Sequence, residues 1–356
     1  MYFLLRFAAF AALLVSFALA GITQPALAAD KCVIANSHYT GWEPIWLAKD
    51  LGLLKKWGQK FGVELDVTDP MDYGESINQF TAGQFCALAV TNMDALIGPA
   101  AGGIETIFFV VGDTSHGNDG LLWKAAKRPD IKSIVGKKVV LVENSVSHYF
   151  LWRAAQVAKF DFKKVAVVNA ASEMDVKNAF RGEGSIIVTW NPILMTARQE
   201  KGAHLLFDSS QIPGEIIDGI VVNGKLASEN ARKAIAGAWY EVMAIIAQKG
   251  TPAYKDAVAR MAKGVEQTVA EFEAQLATTA LFFKASEAVA FSKNPKLSET
   301  MDHVRGFSAE LGLFGRGKTK DAVGIKLPDG LVLGDPKNVR LVFDVVYMQL
   351  AADGKL

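Results

Sequence analysis

Short apolar runs alternate along the chain with longer segments in which apolar residues recur at helical spacing. The apolar run KCVIANS, for example, precedes the helical pattern EPIWLAKDLGLLKKWGQKFG, and the same alternation continues to MDALIGPAAGG. It restarts at KSIVGKKVVLVENSVSHYFLWRAAQVAKF and ends at HLLFDSS. Strands that alternate with helices are typical of parallel sheets covered by helices on both faces. The pattern therefore predicts two α/β units.

The remainder of the chain, from about Ala227 onward, shows mainly helical patterns. The whole chain is longer than a comfortable single core, so two lobes are expected. Asp119 and Asp218 each precede a glycine and an apolar run, which suggests strands that cross between the lobes near Gly120 to Lys124 and Asp218 to Val222. We therefore predict the first part of lobe 1 at residues 29–122, lobe 2 at 123–217, and the return to lobe 1 with the C-terminal helices at 218–356.

The amino terminus is typical of a secretory signal. Arg6 precedes an uncharged apolar run from Phe7 to Ala20, and the small-residue box Ala26-Leu27-Ala28 follows. The run is too short for a membrane span and no stop-transfer pattern follows it, so we expect residues 1–28 to be removed on export to the periplasm. Loss of Arg6 takes the formal charge from +1 to 0. A neutral chain argues against a nucleic-acid or anionic-membrane partner.

Cys32 and Cys86 are the only cysteines. Two cysteines exclude a disulfide-dense scaffold, although an oxidising compartment permits one bridge. Both lie in apolar, strand-like runs, so two buried free thiols are the alternative. Asp30 and Lys31 precede Cys32 where a lipid-attachment site would have small residues. The sequence therefore predicts a free periplasmic protein and leaves the pairing of the cysteines open.

Function is expected in the polar segments at the strand ends, because ligands of open parallel sheets bind beyond the carboxyl ends of the strands. Seven such segments contain ten acidic residues and neither lysine nor arginine. A cleft of this charge disfavours anions and suits a cation or a neutral hydrogen-bond donor. The acids are Glu43, Asp69, Asp72, Glu75, Asp94, Asp113, Asp119, Glu143, Glu215 and Asp218.

Aromatic residues accompany these acids. Tyr39, Trp42, Tyr73 and Trp190 fall in the same segments, where their ring faces can contact a cation. Trp42 and Trp190 border glycine, asparagine and proline in predicted loops, which favours a pocket over core packing. Helix capping or turn formation is the structural alternative for four of the acids, namely Asp69, Asp72, Glu75 and Asp94.

Three alternative kinds of site have weaker support. Ser115, His116 and Asp119 lie close together in sequence, but a hydrolase assembles its triad from distant segments and no G-x-S-x-G elbow occurs. An anion could bind at the predicted helix start ENSVSHY, yet neither lysine nor arginine lies in it. A metal site is the third alternative, although no metal-ligand spacing links its possible ligands, which are His38, His116 and His148 with Asp94 or Asp119.

Segments that include DYGESINQFTAGQF, TNMDALIGPAAGG, GDTSHGNDG, VENSVSHYFLWRA and FDSSQIPGEIIDGIVVN occur in this order between about Val33 and Met243. At these segments the chain resembles the periplasmic solute-binding proteins of ABC importers in the nitrate, sulfonate and taurine group. More narrowly, it is similar to the branch encoded beside urea carboxylase genes. The resemblance implies an α/β, two-lobed venus-flytrap fold of type II with two crossover strands, and delivery of a solute to permease subunits at the membrane.

The solute implied for this branch is urea or, for a cleft this acidic, guanidine or a related amidine; a larger amine is the alternative. We expect a monomer without catalytic residues, cofactor or metal, whose lobes close over the ligand by hinge bending at the crossovers. Asp94 and Asp119 are expected to recognise charge, and Trp42 and Trp190 to supply ring faces. The other predicted ligand-binding residues are Tyr39, Tyr73, Asn92, Asn118, Ser145, Ser147, Asn191, Glu215 and Asp218.

Overall fold

The computed structural model describes residues 30–182 and 184–356, so the predicted signal segment lies outside the described residues. Within them the chain forms an α/β structure with two sheets. The strands are β1 (Asp30–Ala35), β2 (Val63–Val67), β3 (Ala87–Thr91), β4 (Thr106–Ser115), β5 (Asp119–Lys124), β6 (Lys138–Leu141), β7 (Ala166–Asn169), β8 (Ile186–Trp190), β9 (Ala203–Asp208), β10 (Ile217–Asn223), β11 (Thr279–Leu281), β12 (Gly324–Lys326), β13 (Val332–Leu333) and β14 (Val339–Phe343). The α-helices are α1 (Glu43–Asp50), α2 (Leu53–Phe61), α3 (Tyr73–Thr81), α4 (Asn92–Ala95), α5 (Val146–Ala158), α6 (Glu173–Ala179), α7 (Ile193–Arg198), α8 (Glu229–Ile246), α9 (Pro252–Gly264), α10 (Val269–Leu276), α11 (Ala285–Ser292), α12 (Lys296–Glu310) and α13 (Val346–Ala352).

The larger sheet has the strand order β13-β12-β14-β4-β10-β3-β1-β2, and β11 pairs with the end of β4. β1 is parallel to β2 and β3, and β14 is parallel to β4. β10 runs antiparallel to both of its neighbours, β3 and β4. The carboxyl ends of β1, β3 and β4 therefore meet the beginning of β10 at one edge of this sheet.

The smaller sheet has the strand order β7-β6-β8-β5-β9. β6 is parallel to β7 and β8, whereas β5 is antiparallel to β8 and β9. The carboxyl ends of β6, β7 and β8 therefore meet the beginning of β5 at one edge. Asp119, the first residue of β5, lies opposite Trp190, the last residue of β8.

The chain passes between the two sheets at residues 116–118 and 209–216. The predicted crossovers, Gly120 to Lys124 and Asp218 to Val222, lie instead inside β5 and β10, and each of these strands pairs on both sides within one sheet. The aspartate and glycine before each apolar run therefore mark where a buried strand begins, and not a span between lobes. Both connections leave their sheets at the edges described above, so these edges face one another across a cleft.

The segment after Ala227 was predicted to be mainly helical, and it also contains strands. It supplies α8 to α13 but also β11 to β14, which extend the larger sheet. These strands are only two to five residues long. Alternation of apolar and polar positions is not recognisable over so few residues, and for this reason the sequence signal was missed.

Three helices begin at the cleft, each at a side chain that caps its first turn. The Asp72 carboxylate accepts the Glu75 N–H at 3.1 Å and thereby starts α3. Thr91 Oγ1 accepts the Asp94 N–H at 3.1 Å at the start of α4, and Ser145 caps α5. None of the described helices is both long and apolar enough to cross a bilayer.

A disulfide joins Cys32 in β1 to Cys86, which lies just before β3, with their Cα atoms 5.4 Å apart. The sequence left this pairing open. The bridge spans 54 residues, and the segment that it closes contains α1, α2, β2 and α3. In the chain-entropy model, closing a loop of this length stabilises the folded state by about 4 kcal/mol.

Candidate functional site

A small chamber lies where the facing edges of the two sheets meet. Its volume is about 10 Å³, close to the space that one water molecule needs. Asp218 of the larger sheet and Asp119 and Trp190 of the smaller sheet contribute to its wall, so both lobes enclose it. We name it the inner chamber; its lining residues are Tyr39, Trp42, Tyr73, Thr91, Asp119, Val146, Trp190, Ile216 and Asp218.

A second cavity of about 250 Å³, the outer chamber, shares Tyr73 and Trp190 with the inner one. No lysine, arginine or histidine of the described residues lines either chamber. The two chambers therefore adjoin at Tyr73 and Trp190, and both have acidic walls. The acids of the outer chamber are Asp72, Asp94, Glu143 and Glu173.

Strand register places carboxyls side by side on the floor of the cleft. In the larger sheet, Asp218 of β10 lies opposite Asp113 of β4 on one side and Thr91 of β3 on the other. Residues that lie opposite one another in a sheet point to the same face, with their Cβ atoms about 4.5 to 5.5 Å apart. The opposed edge of the smaller sheet contributes Asp119. Folding thus concentrates negative charge at the point where the two lobes meet.

Hydroxyl groups hold three of these carboxyls in place. The Tyr73 hydroxyl donates to Asp94 Oδ2 at 2.7 Å. The Tyr39 hydroxyl donates to Asp113 Oδ1 at 3.0 Å, and Ser115 Oγ donates to Asp119 Oδ2 at 2.5 Å. All of these donors are neutral, so the carboxyls are oriented without being neutralised.

Burial raises the pKa of all four carboxyls. The pKa of Asp94 rises from the ordinary 3.8 to about 6, and the pKa values of Asp113 and Asp119 rise to about 7. The pKa of Asp218 is raised well above its usual range, first by burial and then by the neighbouring carboxyls of Asp113 and Asp119. A cation placed among these groups favours their ionised forms and lowers their pKa values.

We expect the ligand-free protein to lose stability as the pH rises from about 5 to about 8. A carboxyl whose pKa is higher in the folded than in the unfolded chain stabilises the fold below its unfolded pKa, and this contribution is lost as the pH rises through about 7. The melting temperature should fall by about 5 °C or more, since 1 kcal/mol shifts it by about 2 to 4 °C.

Thermal unfolding at both pH values checks this expectation. His148 stays neutral in this range, because burial lowers its pKa to about 4. His38 titrates in the same range with the same sign, because burial lowers its pKa but the hydrogen bond and charge of Glu43 raise it above its ordinary value, so the comparison with a carboxyl variant is needed. Asp119→Asn should show a smaller fall than the wild-type protein. A melting temperature that stays constant or rises between the two pH values would contradict the cost of ionising these carboxyls.

A series of aromatic rings continues from the larger to the smaller sheet. The ring centroids of Tyr39 and Trp42 are 5.0 Å apart, and those of Trp42 and Tyr73 are 5.3 Å apart. Tyr73 lies 5.9 Å from Trp190 of the second lobe. All four rings were predicted site residues, and all four line the inner chamber. The chamber therefore combines ring faces with carboxylates.

Asn118 and Asn191, also predicted ligand-binding residues, hold the first connection between the lobes instead of lining a chamber. Asn118 Nδ2 donates to Thr279 Oγ1 at 2.6 Å and to the Tyr39 hydroxyl at 3.2 Å. Asn118 Oδ1 accepts from Asn191 Nδ2 at 2.6 Å. With its amide satisfied by protein groups, Asn118 fixes the position of Tyr39, which lines the inner chamber.

Asn92 and Glu215 also lie outside both chambers. Asn92 Nδ2 donates to the Glu215 carbonyl at 3.1 Å. The Glu215 carboxylate is held by Arg153 of α5 in a bidentate pair, at 2.6 Å from Nε and 2.7 Å from Nη2, and it accepts the Tyr149 hydroxyl at 2.9 Å. The expectation that Glu215 faces a ligand from the second lobe therefore has to be corrected, because Arg153 already satisfies its charge.

The two predicted serines lie at the start of α5. Ser145 lines the outer chamber, where its Oγ donates to the Val142 carbonyl at 2.7 Å and accepts the Ser147 N–H at 3.2 Å. Ser147 Oγ is buried with no hydrogen-bond partner among the described residues, and it lines neither chamber. Of the pair, only Ser145 is placed to contact a solute.

The histidines considered as metal ligands do not come together. His116 is exposed, and no hydrogen bond between described residues joins it to Ser115. His38 Nδ1 lies 2.8 Å from Glu43 Oε1, and the ring of His148 packs 5.5 Å from that of Phe307. In the described part of the chain, no group of three or more histidine, cysteine, aspartate or glutamate side chains is arranged to hold a metal ion.

Sequence reasoning missed several residues of the site. Thr91 and Val146 line the inner chamber, although the adjacent Asn92 and Ser145 were predicted. A strand end and a helix start locate such a site to within a residue or two, but only the three-dimensional fold decides which neighbour points inward. Asp113 was recognised as one of the strand-end acids, but nothing in its local sequence signalled that it packs beneath Tyr39.

No protein-family model and no curated protein matches this sequence. Solved structures are nevertheless similar in fold. The periplasmic aliphatic sulphonate binding protein of Escherichia coli matches with a TM-score of 0.65 at 16% identity, over 79% of this chain and 88% of that chain. The alkanesulfonate-binding protein of Xanthomonas axonopodis pv. citri, bound to MOPS, matches with a TM-score of 0.63 at 12% identity, over 80% and 92% of the two chains.

The periplasmic nitrate-binding protein of Synechocystis PCC 6803 matches with a TM-score of 0.55 at 10% identity, over 92% of this chain and 99% of that chain. The chain has the periplasmic-binding-protein fold. This confirms the predicted fold class. The neighbours bind sulfonates or nitrate, but at these identities they show the fold alone.

Proposed function

We propose that this protein is the extracytoplasmic solute-binding component of an ABC importer, and that it captures a small nitrogen-rich solute of the guanidine or urea type. The observation that carries the proposal is the chamber between the lobes, which is walled by carboxyls and aromatic rings and lined by no basic residue of the described chain. In this proposal the protein works in the periplasm and hands its solute to permease subunits at the membrane.

A compact planar cation suits this wall. Each charge-assisted hydrogen bond to a carboxylate contributes about 1.5 to 3 kcal/mol, and contact with a ring face adds about 0.5 to 2 kcal/mol. Two such bonds, to Asp119 and Asp218, with one ring contact to Trp190 supply about 4 to 8 kcal/mol before the costs of association. Urea forms the same hydrogen bonds without the charge, so it should bind more weakly at the same residues.

Lobe closure follows from the same geometry. The inner chamber is closed by Tyr73 and Asp218 from one lobe and by Asp119 and Trp190 from the other. A ligand stabilises the closed state only through contacts that both lobes make, and these residues provide such contacts. A chamber of about 10 Å³ has room for about one water molecule, so binding of a larger solute requires opening at residues 116–118 and 209–216.

An anion, the ligand of the similar structures, fits this chamber poorly. The helix start that could bind one, at the first turn of α5, faces the carboxyl of Asp94, whose pKa is raised by burial, an effect that the hydrogen bonds of Tyr73, Thr91 and the Val146 N–H only partly offset. Sulfonate or nitrate would meet Asp94, Asp119 and Asp218 without a compensating lysine or arginine. The charge of this wall, and not the fold, is the reason to propose a cation and not an anion as the ligand of this chain.

Isothermal titration of the metal-free mature protein with guanidinium, urea, taurine, nitrate and zinc tests the proposal. We expect heat from guanidinium, weaker heat from urea, and none from taurine or nitrate. Tight binding of zinc or of an anion, with no heat from guanidinium or urea, would instead establish the alternative of a metal or anion receptor.

A further inference from the structure

Asp113 is a fully buried carboxyl that the proposed ligand contacts leave unexplained. Its Oδ1 accepts the Tyr39 hydroxyl at 3.0 Å, while its Oδ2 is buried with no hydrogen-bond partner among the described residues. A buried carboxylate oxygen without a partner costs about 1 to 3 kcal/mol or more, since the group is charged. A protein that keeps such a group needs it either neutral or compensated by something that binds.

Glycine at position 41 makes room for this carboxyl. A Cβ atom at Gly41 would lie 2.1 Å from Asp113 Oδ2, which is far inside van der Waals contact. Gly41 belongs to the loop that also carries Tyr39 and Trp42 into the inner chamber. The absence of a side chain at this position therefore lets Asp113 lie directly behind the chamber wall.

The carboxyl of Asp113 lies beside that of Asp218 and affects its ionisation. The two residues lie opposite one another on β4 and β10, so their side chains point to the same face of the sheet. Asp218 is almost fully buried and lines the inner chamber. The other titratable groups that face the pair are Tyr39 from the loop before α1, Asp119 from β5 and Asp94 from α4, and none of them is positively charged.

We propose that Asp113, through its neighbour Asp218, makes the inner chamber selective for a cationic ligand. The two carboxyls hold one proton between them in the ligand-free protein, and a guanidinium or amine group in the inner chamber displaces that proton to solvent. This inference rests on the proposed function and deepens it. Two buried carboxylates this close do not ionise together unless a cation joins them. The fully ionised pair therefore exists only with a cation bound, and a neutral solute such as urea leaves the proton where it is.

Two properties follow. Guanidinium binding releases about one proton from the pair when the pH is below the pKa of the pair, so its affinity rises by up to tenfold per pH unit in that range. Urea binding releases none from the pair, and its affinity is flat over the same range. The protein thus prefers cations more strongly as the pH rises toward 8.

Titration calorimetry with guanidinium in two buffers of different ionisation enthalpy, repeated from pH 6 to pH 8, measures the released protons. The wild-type protein should release about one proton more than Asp113→Asn, in which no carboxyl lies opposite Asp218 on β4. Asp113→Asn should also flatten the pH dependence of the affinity. Asp50→Asn, which removes an exposed aspartate, serves as the matched control and should behave as the wild type.

The protonation of the pair is also measured without any ligand, by carboxyl ¹³C NMR of the aspartates during a pH titration. One carboxyl of the pair should remain protonated near pH 7 in the wild type, and Asp218 should titrate at lower pH in Asp113→Asn. Ordinary titration of both carboxyls near pH 4 overturns the inference, as does guanidinium binding with equal proton release in wild type and Asp113→Asn. If neither guanidinium nor an amine binds at all, the proposed function itself is wrong. The two results above contradict only the inference about the shared proton.

Discussion

Replacing Asp119 by asparagine is expected to lower the affinity for guanidinium by about 100-fold while changing the affinity for urea by less than about tenfold. Asp119 lines the inner chamber, and its side chain is almost fully buried. It is held by Ser115 and lies opposite Trp190. Asparagine keeps the size and one acceptor but loses the negative charge. A cation loses a charge-assisted bond of up to about 3 kcal/mol, whereas a neutral ligand exchanges one hydrogen bond for another.

Titration calorimetry of both ligands at pH 8, where the wild-type carboxyl is ionised, measures this difference. Asp50→Asn removes an exposed aspartate that lines neither chamber and controls for the change in net charge. Thermal unfolding of Asp119→Asn shows whether the fold is retained, and removal of a costly buried charge should leave it at least as stable as the wild type. Equal losses for guanidinium and urea would refute recognition by charge.

Sequence analysis located best the residues whose positions in the fold follow from the local pattern of apolar and polar residues. Asp119 and Asp218 begin apolar strands, and Trp190 ends one, so their positions at the edges of sheets followed from the alternation of strands and helices. The strand-end segments, which contain neither lysine nor arginine, form the acidic wall of the chambers. These properties are set within about ten residues of chain, and a sequence pattern can report them.

The residues that the sequence misplaced depend on partners far along the chain. Asn118 is saturated by Thr279, 161 residues away, and Asn92 by the backbone of Glu215, 123 residues away. Glu215 itself pairs with Arg153, which a helical turn of α5 brings back toward the second connection. No local signal distinguishes a polar side chain that awaits a ligand from one that a distant segment satisfies.

Replacing Cys32 and Cys86 together by serine is expected to lower the free energy of unfolding by about 4 kcal/mol. The disulfide ties β1 to the start of β3 across 54 residues of sequence. Without it, the unfolded chain regains the freedom of that loop, so the unfolded state becomes more probable. The closed segment also carries Tyr39, Trp42 and Tyr73, but the strand pairing of β1 with β3 remains in the variant. Guanidinium affinity should therefore change much less than stability.

Urea unfolding measured for the double variant and for the wild type, with and without a thiol reductant, separates the bridge from the substitutions. Reductant should bring the wild type close to the variant and leave the variant unchanged. A thiol assay in denaturant should find no free thiol in the oxidised wild type. Equal midpoints of unfolding for the two proteins would contradict this expectation and would mean that residual structure already restricts this segment in the unfolded chain without the crosslink.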